Sequence, residues 1–284
     1  LIGFQLGLLS TEILNGTIIM ILVTCLVSTV VVERAGRKQV MVEDIQVSQI
    51  PDEKPERILV PISNPETIEK LMDFAVLLKK PKSSEHIYPI VIIPDDDLAH
   101  EHVMRSSKVL GKAAKHASGS DNEVTGVTRV DMNVASGILK AIKELTITQV
   151  VIGWNGRHTA KEWIFGSVVD HLLDRSGIMV LVTNFINPIN TTHHIVVVIP
   201  AFAEFEASFT HWTNTLLSLA RQMGAELKFY GPARTLTQLK KILSESKSSI
   251  PAYFEEFSEW DKFLKFASIV ETDDLLVVVS ARYG

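Results

Sequence analysis

The chain is long enough for two globular domains, and its composition excludes some classes of protein. It has 284 residues, a net charge of -5 and a pI near 6.0. Its 28 basic residues are scattered, whereas a nucleic-acid-binding surface requires them clustered, so we expect no nucleic-acid partner. The single cysteine, Cys25, excludes an internal disulfide.

An uncharged segment of 20 residues runs from Ile13 to Val32. As a helix it would be about 30 Å long, the thickness of the hydrocarbon core of a bilayer. Arg34, Arg37 and Lys38 follow directly, and basic residues at a membrane exit mark its cytoplasmic side. We therefore predict a transmembrane helix over residues 13–32, with everything after Val32 in the cytoplasm. A buried core helix or an amphipathic interfacial helix is the alternative.

A polar, proline-containing linker over residues 39–56 precedes a region in which five apolar strands alternate with four helices. This alternation requires right-handed crossovers and a parallel sheet with both faces covered, so residues 57–184 are predicted to form a doubly wound α/β (Rossmann-like) domain. Such sheets bind ligands beyond the carboxyl ends of their strands, near the switch point. The strands are expected at Arg57–Ile62, His86–Ile93, Val124–Val130, Val150–Ile152 and Ile178–Val182.

The segment that follows the fourth strand carries four residues suited to a phosphate group. Gly153 and Gly156 allow positive φ and a close approach of the backbone to a ligand. Gly166 and Ser167 are expected at the N-terminus of the next helix, where free N–H groups and the helix dipole favour an anion. The alternative is that these glycines only shape a strand-to-helix crossover. The pattern is neither a Walker A loop nor a dinucleotide G-x-G-x-x-G fingerprint.

The spacing of these residues, G-x2-G-x9-G-S, resembles the pattern of ATP-binding members of the universal stress protein family. The resemblance runs from Glu56 to about Asn184 and includes ILVPI and GWNG. It implies that ATP or another adenine nucleotide is bound, with the glycines and the serine around its triphosphate and ribose. Where the family usually has Asp after the first strand, this chain has Ser63. The nucleotide-binding residues expected are Pro61, Ser63, Gly153, Gly156, Gly166, Ser167 and Val168, together with Arg157. Arg157 lies within the loop and either contacts a phosphate or is a solvated loop charge.

Other clusters of reactive residues have simpler explanations. His193 and His194 lack a third metal ligand, so we interpret them as a linker pair that enters a strand. Asp95–Asp97 are typical of an N-cap and acidic first turn of a helix. Asp170 and His171 lie too close to Ser167 on one helix to form a catalytic triad. We therefore expect no catalytic residue, no metal site and no enzyme activity.

The chain then repeats itself after a second linker, residues 185–193. The sequence HIVVVIP resembles RILVPI, and LVVVSARYG resembles VVIGWNG, at comparable distances along the chain. Residues 194–284 are therefore predicted to form a second, degenerate domain of the same kind, truncated after its fourth strand. Ser280 replaces the first glycine of the motif, so we do not expect this copy to bind nucleotide in the same manner.

The predicted membrane helix and its cytoplasmic exit form the segment 1–38. Within it, residues 6–38, which include LLSTEILNGTIIMILVTCLVSTVVVERAGRK, resemble the last membrane helix and exit of a bacterial monovalent cation:proton (sodium/proton) antiporter. Several such antiporters carry a cytoplasmic region similar to universal stress proteins in this order. The resemblance implies an inner-membrane protein with an upstream transport domain, in which the region after the membrane senses an adenine nucleotide and regulates transport. We also expect a homodimer. The alternative is a stand-alone tandem universal stress protein that binds ATP and has no transport activity.

Overall fold

The computed structural model describes residues 19–21, 24, 56–81, 83–118, 122–154, 160–246 and 250–280, without the side chains of 160–167 and 261. The chain divides into two compact units, Leu1–Pro51 and Asp52–Gly284. In the first unit, residues 19–21 and 24 are helical, and Thr24 Oγ1 donates to the carbonyl of Met20 at 2.8 Å. The rest of the predicted membrane helix and its basic exit lie outside the described residues. Within the described ranges, no helix has the length and apolar character needed to cross a bilayer.

The first sheet has five parallel strands in the order β3-β2-β1-β4-β5. The central strand β1 is buried because helices cover both faces of the sheet. Successive strands are added first on one side of β1 and then on the other, so the switch point lies between β1 and β4. This order confirms the predicted doubly wound sheet. The strands are β1 (Ile58–Pro61), β2 (Ile87–Pro94), β3 (Val127–Asp131), β4 (Gln149–Gly153) and β5 (Met179–Thr183).

Four helices connect these strands: α1 (Ile68–Leu78), α2 (Ala99–Ser118), α3 (Val134–Glu144) and α4 (Ala160–Arg175). The apolar side of α1 packs on one face of the sheet, with Leu71, Met72 and Ala75 buried at helical spacing. Ile138 of α3 and Leu172 of α4 are buried in a cluster on the other face. Helices α3 and α4 therefore lie together on this second face of the sheet.

The start of α4 corrects one prediction. The helix begins at Ala160, six residues before Gly166, so the expectation that Gly166 and Ser167 stand at its N-terminus was wrong. The preceding residues, AKEWIF, begin with strong helix formers and extend the helix backwards. A glycine inside a helix costs only about 1 kcal/mol relative to alanine, too little to stop this extension.

The second sheet repeats the topology of the first with four parallel strands in the order β8-β7-β6-β9. Its elements are β6 (His194–Val198), α5 (Phe209–Met223), β7 (Glu226–Gly231), α6 (Ala233–Glu245), β8 (Ala252–Glu256), α7 (Phe266–Ile269) and β9 (Asp274–Val278). The sequence predicts one helix over Glu259–Phe266, whereas the structure has a 3-10 helix, Trp260–Lys265, that leads into the short α7. Two parallel sheets of matching order support the predicted tandem arrangement.

The two sheets share one of the hydrophobic clusters. Helix α1 packs against α5, and Phe74 and Leu78 belong to the same buried cluster as Leu217 and Ala220. Gln222 Nε2 also donates to the carbonyls of Leu77 and Lys79, at 2.8 and 2.9 Å. The segment predicted as a linker, residues 185–193, contributes Ile189 to this cluster. It is therefore packed against both sheets.

Candidate functional site

A cavity of about 300 Å³ opens at the carboxyl edge of the first sheet. Its walls come from the start of α1, the end of β4 and the end of β5. These elements lie beside the switch point between β1 and β4, where doubly wound sheets bind their ligands. The lining residues are Asn64, Glu66, Thr67, Lys70, Leu71, Gly153, Trp154, Thr183, Asn184 and Phe185.

The wall formed by α1 is built from a capped turn. Asn64 is extended, and its side chain accepts the N–H of Glu66 at 3.0 Å, which starts the 3-10 turn that leads into α1. The hydroxyl of Thr67 donates to the carbonyl of Asn64 at 2.9 Å. Lys70 lies three residues after Thr67 and therefore on the same side of the helix. The turn thus presents an amide, a hydroxyl, a carboxylate and an ammonium group to the cavity.

The ammonium group of Lys70 connects this wall to the chain that leaves β5. Its Nζ donates to the carbonyls of Phe185 and Ile186, at 2.8 and 2.9 Å. These contacts use two of the three donors of the ammonium group. The ring of Phe185 also lies 5.0 Å from that of Phe74. Lys70 therefore holds the backbone of one cavity wall in place.

The wall at β4 depends on a glycine. A Cβ atom at Gly153 would lie 3.1 Å from Leu71 Cδ1, so a larger residue would displace this leucine of α1. Beyond the strand, the Trp154 N–H donates to the Thr183 carbonyl at 2.7 Å. Trp154 itself is 49% exposed. Gly153 therefore allows a close approach of sheet and helix, and the two aromatic residues Trp154 and Phe185 add apolar surface to a polar cavity.

The predicted site residues fall into different places. Gly153 lines the cavity, whereas Pro61, the buried last residue of β1, and Ser63, which is exposed, are not among the lining residues. The side chain of Val168 is 4% exposed and packs in the core between α4 and the sheet. Of these four residues, only Gly153 is among the described residues that line the cavity.

The remaining predicted residues stay untested. Gly156 and Arg157 lie outside the described residues. Gly166 and Ser167 lie within α4, and the structure describes no side chains there. Whether these four residues converge on one ligand remains a prediction.

Sequence reasoning missed most of the cavity. Lys70 and Thr67 could have been found, because a polar side of α1 opens at the same edge of the sheet as Gly153. Thr183 and Asn184 could have been found too, because β5 is parallel to β4 and ends beside it. What the sequence did not reveal is that Lys70 reaches across to the chain after β5.

The other polar clusters have structural roles. Asp96 Oδ1 accepts the N–H of Leu98 at 3.0 Å just before α2, in keeping with the predicted helix start. His194 Nδ1 lies 2.8 Å from Asp274 Oδ1 across neighbouring strands. Among the described residues, no group of three or more His, Cys, Asp or Glu residues could hold a metal ion.

Comparison with known proteins gives the family of the first sheet. The universal stress protein family matches residues 55–184. Over 209 residues the chain is 22% identical to the Na(+)/H(+) antiporter NhaS5 of Synechocystis sp.; the match covers 66% of this chain and 30% of the antiporter. The chain therefore matches about a third of that relative's length.

Two solved structures resemble both sheets. A universal stress protein from Archaeoglobus fulgidus is 17% identical with a TM-score of 0.58, covering 81% of this chain and 87% of its own. A putative universal stress protein from Pseudomonas aeruginosa is 13% identical with a TM-score of 0.51, covering 80% and 83%. At these identities the likeness shows the fold. Together with the family match, it identifies residues 55–184 as a universal stress protein domain.

Proposed function

We propose that this chain contains the adenine-nucleotide-binding regulatory region of a membrane cation:proton antiporter. The observation that carries the proposal is the cavity beside the switch point of a universal stress protein domain, with Gly153 at its edge. A volume of about 300 Å³ is at the low end for small-molecule sites, so the cavity holds part of a nucleotide.

Two features support placing this region in an antiporter. The chain is similar to a sodium/proton antiporter over 66% of its length. The uncharged residues 13–32 and the basic residues that follow them are typical of a membrane helix with a cytoplasmic exit. In the proposal the protein lies in the bacterial inner membrane, a transport domain precedes this chain, and residues after Val32 are cytoplasmic. The nucleotide regulates transport if it binds the transport states with unequal affinity.

The nucleotide is a bound signal in this proposal, and it is not hydrolysed. Phosphoryl transfer requires a metal ion held by carboxylates and a group that positions the attacking water. Of the lining residues that the structure describes, one carries a carboxylate, Glu66. Purified protein should therefore bind ATP without releasing phosphate, and phosphate release abolished by Gly153→Val would contradict this part of the proposal.

Calorimetry of the 284-residue protein with ATP tests the nucleotide site. Gly153→Val should weaken binding at least about tenfold, because the new side chain must displace Leu71, which also lines the cavity. Gly111→Val in α2 is the matched control, since a Cβ atom there meets nothing within 4 Å. Absence of ATP binding by the unaltered protein, or equal affinities for all three proteins, would refute the site.

The alternative function is a tandem universal stress protein that binds ATP and has no transport activity. The fold similarity to the Archaeoglobus universal stress protein, which extends over both sheets, favours it. Ion transport by the full-length protein in vesicles distinguishes the two. The antiporter proposal predicts transport that responds to ATP and loses this response when the chain after Lys38 is deleted; transport that ignores ATP would refute the regulatory role.

A further inference from the structure

The cavity and the segment that joins the two sheets share a wall. Thr183, Asn184 and Phe185 line the cavity, and the chain continues from Phe185 directly towards the second sheet. The only contacts of the Lys70 ammonium group given by the structure are the carbonyls of Phe185 and Ile186. A change at Lys70 therefore acts first on the beginning of this segment.

The other end of the segment is fixed to the second sheet. Asn187 Nδ2 donates to the carbonyl of Thr272, just before β9, at 2.8 Å. Ile189 is 7% exposed and packs in the core that the two sheets share. The His193 N–H donates to the carbonyl of Asp273 at 3.0 Å. Residues 185–193 therefore connect the cavity wall to the start of β9 through a short series of contacts.

Lys70 is also the group in the cavity best suited to an anion. It is the only cation among the described lining residues. Its present acceptors are two neutral carbonyl oxygens, whereas a phosphate oxygen carries charge and forms a stronger hydrogen bond with an ammonium group. Because the lysine stem is flexible, the ammonium group can turn from the carbonyls to a ligand without movement of α1.

We propose that Lys70 binds a phosphate group of the ligand and, in doing so, releases the carbonyls of Phe185 and Ile186. Binding in the cavity then loosens residues 185–193 and changes their attachment to β9, so the second sheet senses whether the cavity is occupied. This inference rests on the proposed nucleotide site and adds its phosphate-binding residue and its route to the second domain. The ligand must carry phosphate, because adenosine alone offers Lys70 no anion.

Affinity measurements with the 284-residue protein test the phosphate contact. Lys70→Met should weaken ATP binding by about tenfold or more, the usual effect of losing a hydrogen bond to a charged group. Adenosine should lose much less affinity than ATP in Lys70→Met, since it has no phosphate and is affected only through the cavity wall. Lys108→Met is the matched control, since Lys108 is exposed on α2 and does not line the cavity. Equal loss for ATP and adenosine would show that Lys70 only supports the fold of the cavity, and would overturn the proposal.

Hydrogen exchange tests the route to the second sheet. ATP should speed exchange in residues 185–192, including the amides of Thr191 and Thr192, which now donate to Pro188 and Ile189. ATP should also change exchange at residues 271–275. In Asn187→Ala, which removes the contact with Thr272 and keeps the one between His193 and Asp273, the response at residues 271–275 should shrink while ATP affinity is kept.

The outcomes separate this inference from the function on which it rests. If ATP binds and exchange in residues 185–192 stays the same, the coupling is refuted and the nucleotide site stands. If ATP does not bind the unaltered protein, both fail. Slower exchange in residues 185–192 with ATP would also overturn the proposal, because it would mean that the ligand strengthens this wall.

Discussion

Two glycines in helices of the first domain allow one substitution to be compared in opposite surroundings. Gly137 lies in α3, where an added Cβ atom would be 2.9 Å from both Cδ1 and Cγ2 of Ile92 and 3.3 Å from Asp131 Cβ. Gly111 lies in α2, where an added Cβ atom meets nothing within 4 Å. Replacement by alanine improves helix propensity by about 1 kcal/mol at either position. Only Gly137→Ala must also displace the side chain of Ile92 on β2.

Overpacking of this kind costs about 1 to 3 kcal/mol. Gly111→Ala should therefore raise the free energy of unfolding by up to about 1 kcal/mol. The free energy of unfolding of Gly137→Ala should be about 1 to 3 kcal/mol lower than that of Gly111→Ala, since the gain in propensity is common to both variants. Urea denaturation followed by circular dichroism measures the difference. In a double-mutant cycle, Ile92→Ala should relieve part of the cost of Gly137→Ala. Equal stabilisation by the two glycine substitutions would refute the close packing of α3 on β2.

Two further predictions concern stability. Phe266→Ala, in the aromatic cluster of the second sheet, should lower the free energy of unfolding by about 3 to 5 kcal/mol. Leu264→Ala, at a side chain that is 84% exposed, should change it by no more than about 0.5 kcal/mol in the same denaturation experiment. The hydrogen bond from Lys140, 2.7 Å long, is the main cause that lowers the pKa of the buried Asp131 carboxyl group. The stabilising effect of this hydrogen bond is therefore present above about pH 4 and is lost as the pH falls through the lowered pKa. Lys140→Met should destabilise the protein at neutral pH and much less in acid. An equal effect at both pH values would contradict this prediction.

The sheet topology could be predicted because the sequence encodes it locally. The apolar run at Ile58–Pro61 reads as a buried strand, and helical periodicity follows each strand until Thr183. Right-handed crossovers then leave few ways to order the strands. Strand positions agreed within a few residues for the same reason.

The start of α4 and the short helices after β8 could not be predicted so well. A glycine followed by serine looks like a helix start, and only the extension from Ala160 shows otherwise. The crossover after β8 contains Trp260 and Phe263, whose rings stack on each other within the aromatic cluster at the second sheet, and this packing replaces a regular helix.

The sequence predicted the location of the candidate site in the sheet better than it predicted the residues that line it. The carboxyl edge near Gly153 follows from topology alone. Its chemistry depends on a contact between residues 70 and 185, more than 100 positions apart, and no local pattern encodes such a contact.

The packing of α1 against α5 has a practical consequence for any study of the first domain alone. In a protein cut after Asn184, Phe74, Leu78 and their neighbours on α1 would be exposed to water. They would form a contiguous hydrophobic surface of the kind that drives self-association. It would also leave the carbonyls of Leu77 and Lys79 without the amide of Gln222. Although the sequence contains two repeats, we expect both to unfold in a single cooperative transition. A destabilising substitution in either repeat would then destabilise both.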